Sequence, residues 1–307
     1  MDVYMQTRRQ FLWQATGTAA LASLPFSASA ATAGISLGFS LYGMKTLSLD
    51  QALETCSEVG YRNVELTLNP GYPTEPKLLS ADARKVLRGK LASLSLDVSG
   101  LMLNLSLTVD DQVHARNLDA LKEAAQFGRD LLSPAKPLIE TVLGGKPQEW
   151  DTVKDRMAER LKEWAAVAEK AEMLLTVKAH VGSAVNTPER LLWLLQKVDS
   201  QAVKAAYDYS HFKLQGIGLE DSMKALLPYT RFIHVKDAAG DTKKFQFLLP
   251  GDGDTDYAVY FGLLRKHGYK GPVVVEVSGQ VFSKLGYDPV VAARKCFTVL
   301  NTAMAKA

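Results

Sequence analysis

Ionisable side chains end four apolar segments in the second half of the chain. The segments are LLTVKAH, KAAYDYSH, RFIHVKD and VVVEVS, and their ionisable residues include Lys178, His180, Asp208, His211, His234, Lys236 and Glu276. Each segment is a run of β-favouring residues, and a helix-like stretch follows it. A charge in a buried parallel strand is costly unless it is paired or bound to a metal. The four strand ends therefore predict one shared site.

Asp208, His234 and Glu276 have the chemistry of a metal site. Hard carboxylate oxygens with one imidazole suit Mn²⁺, Mg²⁺, Co²⁺ or Zn²⁺, with positions left open for substrate oxygens. The alternative is a network of ion pairs that includes Lys178 and Lys236. Because the three residues follow three consecutive predicted strands, their spacing favours a divalent metal over ion pairs alone.

The elements that would position these residues alternate between strand and helix. Strands are expected at 35–42, 63–68, 98–104, 138–143, 174–180, 203–208, 232–236 and 273–277. Helices are expected at 49–59, 80–94, 113–127, 149–171, 187–198, 219–227, 257–267 and 289–304. Eight such units predict an α/β fold, a single (β/α)₈ TIM barrel over residues 31–307, with functional residues at the carboxyl ends of the strands. A doubly wound sheet is the alternative, weakened because no G-x-G-x-x-G loop follows the first strand.

Two features of this pattern concern connections between elements. Ser80 is expected to cap the second helix, and Gly128 is expected to stop the third. The stretch 238–256 is too long for a routine connection, and long loops at this end of a barrel often form substrate walls.

The first thirty residues predict export. Arg8 and Arg9 precede an uncharged stretch that ends in Ala28-Ser29-Ala30, as in a signal of the twin-arginine type. We expect residues 1–30 to be this signal, cleaved near Ala30, and the mature protein to be periplasmic. A membrane anchor is the alternative, which Gly17 and Pro25 disfavour, so no stable membrane insertion is expected.

Net charge and cysteine content indicate which partners and which disulfide chemistry to expect. The chain has 36 Lys and Arg against 33 Asp and Glu, a net charge of +3, which gives no electrostatic case for nucleic-acid binding. Cys56 and Cys296 are the only cysteines. An exported protein could oxidise them, but we favour two small buried apolar residues. An oligomer is possible.

Five short motifs stand out in the sequence: Gly60-Tyr61-x-x-Val64-Glu65, Asp208-Tyr209-Ser210-His211, His234-Val235-Lys236-Asp237, Gly251-Asp252-Gly253 and Val275-Glu276-Val277. Together they resemble motifs of the sugar-phosphate isomerase/epimerase superfamily of xylose-isomerase-like barrels. The resemblance covers roughly residues 34–305. It implies a divalent metal held by Asp208, His234 and Glu276, and it implies that His211 contacts a sugar.

Lys178 departs from this pattern, because the resemblance implies a glutamate ligand at position 178. A protonated lysine repels a divalent cation, and three outcomes are open. His180 could take the vacant ligand position while Lys178 points at substrate. Lys178 could instead act as a base, with its pKa lowered by burial or metal. Finally, there could be no metal, with Lys178 paired to Asp208 and Glu276.

Further acids lie on earlier strands. In similar enzymes that epimerise sugars, two acidic groups shuttle a proton, and besides Glu276 only Glu140 and Glu65 are available here. Glu140 is the candidate second acid/base. Glu65 is a candidate substrate ligand or the partner of a lysine such as Lys178, and Lys236 could bind substrate hydroxyls.

These observations predict an enzyme that acts on a small carbohydrate or polyol by proton abstraction next to a carbonyl, with help from a metal. The resemblance implies an isomerase or epimerase. A lyase that eliminates from a keto-sugar or keto-glycoside is the alternative, because both reactions begin with the same enolate chemistry. A non-catalytic sugar-binding barrel is the alternative of another class.

Overall fold

Eight parallel strands close into a barrel in a computed structural model, which describes residues 34–307. The barrel order is β1-β10-β7-β6-β5-β4-β3-β2, and β8 and β9 form a separate hairpin. The strands are β1 (Ser36–Ser40), β2 (Asn63–Thr67), β3 (Asp97–Met102), β4 (Leu138–Val142), β5 (Leu174–Lys178), β6 (Val203–Asp208), β7 (Thr230–Val235), β8 (Asp237–Gly240), β9 (Phe245–Leu248) and β10 (Pro272–Val275). The predicted (β/α)₈ barrel is confirmed.

Helices follow the strands and cover the outside of the barrel. They are α1 (Leu49–Val59), α2 (Ala81–Ser93), α3 (Asp111–Leu132), α4 (Trp150–Lys170), α5 (Pro188–Val198), α6 (Tyr209–Lys213), α7 (Leu219–Leu226), α8 (Tyr257–Lys266), α9 (Gly279–Phe282) and α10 (Pro289–Lys306). Short 3₁₀ turns lie at Leu41–Met44, Pro76–Leu78, Pro147–Glu149 and Leu227–Tyr229. Among residues 34–307, no helix combines the length and the apolar character needed to cross a membrane. The predicted export signal lies outside the described residues.

Side-chain caps explain where several helices begin. The Ser80 hydroxyl accepts from the Ala83 N–H at the start of α2, as predicted. Thr187 caps α5, and Pro188 occupies its first turn, where the missing N–H is not needed.

The prediction that Gly128 ends a helix is wrong, because α3 continues to Leu132. A β-carbon at Gly128 would lie 2.5 Å from the Pro137 β-carbon. This glycine therefore allows close packing between α3 and the segment that leads into β4, and it does not act as a terminator.

The stretch after β7 forms a hairpin rather than an open loop. Strands β8 and β9 pair antiparallel, with Asp237 opposite Leu248. The buried Asp237 carboxylate accepts from the N–H groups of Gly251 and Gly253 at 2.8 and 3.0 Å and from the Tyr257 hydroxyl at 3.2 Å. These bonds fix the hairpin and the Gly-Asp-Gly turn beside the carboxyl end of the barrel.

Large apolar side chains fill the space between the strands and the helices. Trp164, Tyr61, Tyr207 and Phe127 are among the largest fully buried residues. Cys56 and Cys296 are free and buried, as the sequence favoured.

Candidate active site

Four neighbouring strands bring the ionisable strand ends together. Strands β5, β6, β7 and β10 are adjacent in the barrel, and Asp208 on β6 lies level with His234 on β7. The Glu276 N–H, just after β10, donates to the Val235 carbonyl at 3.2 Å. Lys178 ends β5, and Lys236 directly follows β7. Consecutive strands thus place these side chains in one polar cluster.

The Lys178 ammonium lies among three of the other charged or polar side chains. Its Nζ is 2.9 Å from His234 Nδ1, 3.1 and 3.2 Å from the two Glu276 oxygens and 3.3 Å from Glu140 Oε1. Burial alone would lower the pKa of Lys178, but Glu140, Glu276 and more distant carboxylates together raise it above its ordinary value. The shift is opposite to the one that a catalytic base at this position would need.

Lys236 bridges two carboxylates on the same side of the barrel. Its Nζ donates to Asp208 Oδ2, and it donates to Glu276 Oε2 at 2.5 Å. Asp208 Oδ1 also accepts from the Ser210 hydroxyl at 2.6 Å. Burial alone would raise the pKa values of Asp208 and Glu276, but the lysines beside them hold both well below the usual range. Both acids are therefore ionised at neutral pH.

A deeper layer of the site contains Glu65 and Glu140, which are fully buried. His234 Nε2 is 2.9 Å from Glu65 Oε2. A protonated lysine has no lone pair, so His234 Nδ1 accepts from Lys178, and its Nε2–H is the atom that donates to Glu65. The ring therefore holds its Nε2 proton between the two layers.

Glu140 is the least satisfied acid of this layer. Within residues 34–307, neither of its oxygens accepts a hydrogen bond, although Lys178 Nζ is 3.3 Å away. Burial raises the pKa of Glu140 above its ordinary value, partly offset by Lys178 and His234. Glu140 thus gains a proton more readily than an ordinary glutamate.

Two imidazoles and an aromatic ring form one wall of the site. The rings of His180 and His211 are 4.2 Å apart, and Phe247 on β9 lies 5.0 Å from His211. Lys236 Nζ lies 5.0 Å from the centre of the Phe247 ring. A site position for Phe247 was not predicted, because the hairpin that carries it lies in a stretch of mostly polar residues that resembles a long loop.

Both wall histidines are neutral at pH 7. Burial lowers the pKa of His180 to about 2 and that of His211 to about 4. His180 Nδ1 accepts from the Gly182 N–H at 3.1 Å, and His211 Nδ1 accepts from the Val181 N–H at 3.3 Å. The Nε2–H of His211 therefore faces Asp208 Oδ2, at 3.4 Å. His180 lies beside His211, outside the groups of possible metal ligands found among the described residues.

Glu276 is the part of the acidic cluster that reaches solvent. Its side chain is 12% exposed, whereas those of Asp208, Glu65 and Glu140 have no exposed surface. Tyr42 lies close enough for the Glu276 charge to help burial raise the pKa of its hydroxyl. An edge-to-face contact at 5.1 Å joins Tyr42 to Phe282. Glu276 is therefore the acid of this cluster that a small molecule from solvent can reach, near the aromatic rings of Tyr42 and Phe282.

Comparisons with known proteins agree with this architecture. A family model described as a xylose isomerase-like TIM barrel matches residues 53–294, well over half of the chain. The chain belongs to this family. The resemblance inferred from the motifs is confirmed at this level, and so is the prediction of an enzyme.

Individual members of the xylose isomerase-like family extend the comparison. An inosose dehydratase from Mesomycoplasma hyopneumoniae is 26% identical over 252 residues, which are 75% of this chain and 81% of the relative. A solved xylose isomerase domain protein from Alicyclobacillus acidocaldarius aligns with a TM-score of 0.73 at 19% identity, covering 89% of this chain and 99% of the other. The structure of an IOLI protein with a bound zinc atom also aligns with a TM-score of 0.73, at 20% identity, covering 88% of this chain and 98% of the other.

The metal implied by the family can be tested against the side chains present. One ligand atom each from Asp208, His234 and Glu276 lie within 4.8 Å of one another, and so do those from Glu65, Glu140 and His234. However, the two ammonium groups already contact Asp208, His234 and Glu276. A divalent ion about 4 Å from one ammonium group would be repelled by roughly 8 kcal/mol at an effective dielectric constant of about 20. The group of Asp208, His234 and Glu276 therefore does not fit a divalent ion together with both lysines.

Proposed function

We propose that this protein is a carbohydrate lyase that removes water from a keto-sugar or keto-polyol. The observation that carries the proposal is the pairing of Glu276, the solvent-reaching carboxylate of the cluster, with the ammonium groups of Lys178 and Lys236. A base beside two proton donors suits enolate formation followed by elimination. The inosose dehydratase relatives, named for a dehydration, support the same class of reaction.

The proposed reaction uses groups that are already in contact. A substrate carbonyl oxygen takes the place of Glu276 as a hydrogen-bond partner of Lys178, whose ammonium stabilises the developing enolate. Glu276 removes the proton from the neighbouring carbon. Lys236 then protonates the hydroxyl on the next carbon, a carbon–carbon double bond forms, and the carbon–oxygen bond breaks to release water. The proton on Glu276 returns to Lys236, so the cycle needs no oxidant or reductant.

The remaining predicted residues have supporting roles in this proposal. His180 and His211, as neutral imidazoles beside Phe247, bind substrate hydroxyls. Glu140 and Glu65 lie beneath Lys178 and His234 and orient them. The predicted metal, whether Mn²⁺, Mg²⁺, Co²⁺ or Zn²⁺, takes part in no step, because the ammonium groups already contact the atoms that would bind it.

An isomerase or epimerase is the second candidate. An epimerase that uses two acids needs a second carboxylate in contact with the substrate. Glu65 and Glu140 do not meet this need, because both are fully buried in the lower layer of the site. The observation that favours this candidate is the partly exposed His180, which is neutral and accepts at Nδ1, so its Nε2–H faces away from that bond. An imidazole in this place could return a proton to the other face of the carbon.

Proton exchange at carbon separates these functions. The purified protein would be incubated in D₂O with inosose, 3-keto-glycosides and free sugars, and followed by NMR and mass spectrometry. Deuterium at the carbon beside the carbonyl with loss of water supports the lyase, and exchange with inversion but no loss of water supports the epimerase. Saturable binding with no exchange on any substrate would leave a non-catalytic sugar-binding barrel and refute both.

A matched pair of variants tests the role of Glu276. Glu276→Gln removes the base with little change in volume, and we expect exchange to fall about 10²–10⁴-fold. Glu159→Gln changes an exposed acid on α4 that pairs with Lys162, and its exchange should equal that of the wild type. Equal exchange in the two variants would refute the assignment of Glu276 as the base.

We also propose that the protein works in the periplasm. The Arg8-Arg9 pair and the Ala28-Ser29-Ala30 end of the first thirty residues support this location. Fractionation of expressing cells should find the protein in the periplasm with an N-terminus near residue 31, and replacing both arginines with lysine should retain it in the cytoplasm. An uncleaved protein in the cytoplasm of the wild type would refute the proposal.

A further inference from the structure

We infer that the Lys178 ammonium takes the place of a divalent cation at this barrel end, so that the site binds no divalent metal. The use of this ammonium as the electrophile rests on the proposed function. The statement about metal binding does not, because it concerns only the side chains and can be measured without a substrate.

The first argument is positional. Lys178 Nζ lies 2.9 Å from His234 Nδ1 and 3.1 Å from Glu276 Oε2, two atoms that would otherwise be free to bind one ion. Lys236 contacts the remaining carboxylate of that group, Asp208 Oδ2, and shares Glu276 Oε2. Each of the three candidate ligand residues therefore already accepts a hydrogen bond from a lysine. A metal ion would have to break these bonds to gain the same lone pairs.

The second argument is the balance of charge. The resemblance implies a glutamate at position 178, and a glutamate with a divalent cation carries a combined charge of +1. A protonated lysine carries the same charge. Exchanging that pair for Lys178 therefore leaves the net charge of the centre unchanged, so positive charge still balances Asp208 and Glu276 without an ion.

The third argument is burial. Lys178 is among the buried charged residues, and Glu140 and Glu276 lie on either side of its Nζ. An ammonium in this position cannot turn away to solvent to admit a second cation. The lysine is thus a permanent part of the centre and not a mobile side chain at its rim.

Metal content gives a direct test. The full chain would be produced in medium with added Zn²⁺, Mn²⁺ and Co²⁺ and purified without chelator. Metal would then be measured by mass spectrometry, and the protein titrated with Co²⁺ by visible absorption. We expect only trace metal, no absorption band from protein-bound Co²⁺, and full activity after treatment with EDTA. One equivalent of any of these metals in the wild type, or activity lost with EDTA and restored by metal, would overturn the inference.

Two variants at position 178 show whether the lysine is the reason. Lys178→Glu should gain about one equivalent of metal and a Co²⁺ band, because it adds a ligand and removes the repelling charge. Lys178→Met removes the charge without adding a ligand and should bind Co²⁺ more weakly than Lys178→Glu. A folded Lys178→Glu protein, checked by circular dichroism, that takes up no metal would overturn the assignment of Lys178 to the place of the cation.

These outcomes are distinct from a failure of the proposed function. If no substrate shows exchange but the wild type binds no metal and Lys178→Glu does, the lyase proposal fails and the inference stands. If exchange occurs and needs a bound metal, the inference fails and the reaction class stands.

Discussion

Replacing Lys178 with methionine should destabilise the protein strongly and in a way that depends on pH. Methionine is close in length but carries no charge. Its introduction would leave Glu140 without the Lys178 ammonium beside it and His234 Nδ1 without this donor, while Glu276 would keep its bond to Lys236. Removing one partner of a buried ion pair typically costs about 3–5 kcal/mol, because the other charge stays buried. We expect a loss in this range at pH 8.

The pH dependence follows from Glu140. Burial already raises its pKa, and loss of Lys178, which now lowers it, should raise the folded-state pKa further. A group whose folded pKa is raised contributes stability that is present below its unfolded pKa and is lost as the pH rises through the folded pKa. The deficit of Lys178→Met should therefore be smaller at pH 5 than at pH 8. Adding Glu140→Gln to this variant should recover part of the deficit and weaken its pH dependence.

Urea unfolding followed by tryptophan fluorescence at pH 5 and pH 8 measures these differences. Lys162→Met is the matched control, because Lys162 is exposed and pairs with Glu159 one helical turn away at 2.9 Å. Such surface pairs contribute about 0.5 kcal/mol or less. A Lys178→Met protein as stable as Lys162→Met at pH 8, or a deficit that grows towards pH 5, would refute the reasoning.

Two further predictions test the wall and the packing of the barrel. Burial lowers the pKa of His211 from 6.5 to about 4. The stability that neutral His211 contributes is therefore complete above pH 6.5 and decreases by up to about 3 kcal/mol as the pH falls towards 4. His211→Phe should flatten this part of the stability curve measured by urea unfolding, and an unchanged curve would contradict the assignment. Gly128→Ala should lower the free energy of unfolding by about 1–3 kcal/mol, because the new β-carbon would press against Pro137. Gly89→Ala, in an exposed part of α2 where a β-carbon would meet nothing within 4 Å, should raise this free energy by about 0.5–1 kcal/mol. Equal effects of the two substitutions would show that the space around each glycine does not decide the outcome.

Much of the fold follows from local sequence signals. Helix α1 and strand β6 have the bounds that the sequence predicts, because each apolar pattern ends at a clear signal: Gly60 directly follows the helix, and Asp208 is the last residue of the strand. Gly128 was misread because a glycine's effect depends on what faces it. Its partner, Pro137, belongs to a different element, and helical periodicity contains no information on that contact.

The site was predictable as a set of residues but not as a set of contacts. The spacing of the strand ends brings Lys178, Asp208, His234 and Glu276 together, as expected from a closed parallel barrel. The spacing does not show that the Lys178 side chain extends past the neighbouring strand β6 to contact His234 and Glu276. Nor does it show that Lys236 donates a hydrogen bond to Asp208. These pairings depend on side-chain length across the barrel.

In the reaction we propose, the contacts of Lys178 would activate the base Glu276 when substrate binds. An ammonium group has three N–H donors, and those of Lys178 face Glu276, Glu140 and His234. A substrate carbonyl oxygen must displace one of these groups, and Glu276 is the one that keeps a second ammonium partner, Lys236, and that reaches solvent. Displacement removes one of the two nearest charges that hold the Glu276 pKa low, so its basicity rises as the substrate carbon arrives beside it. Because the Lys178 ammonium can exchange this hydrogen-bond partner for substrate, position 178 would decide how the base is activated in the proposed reaction.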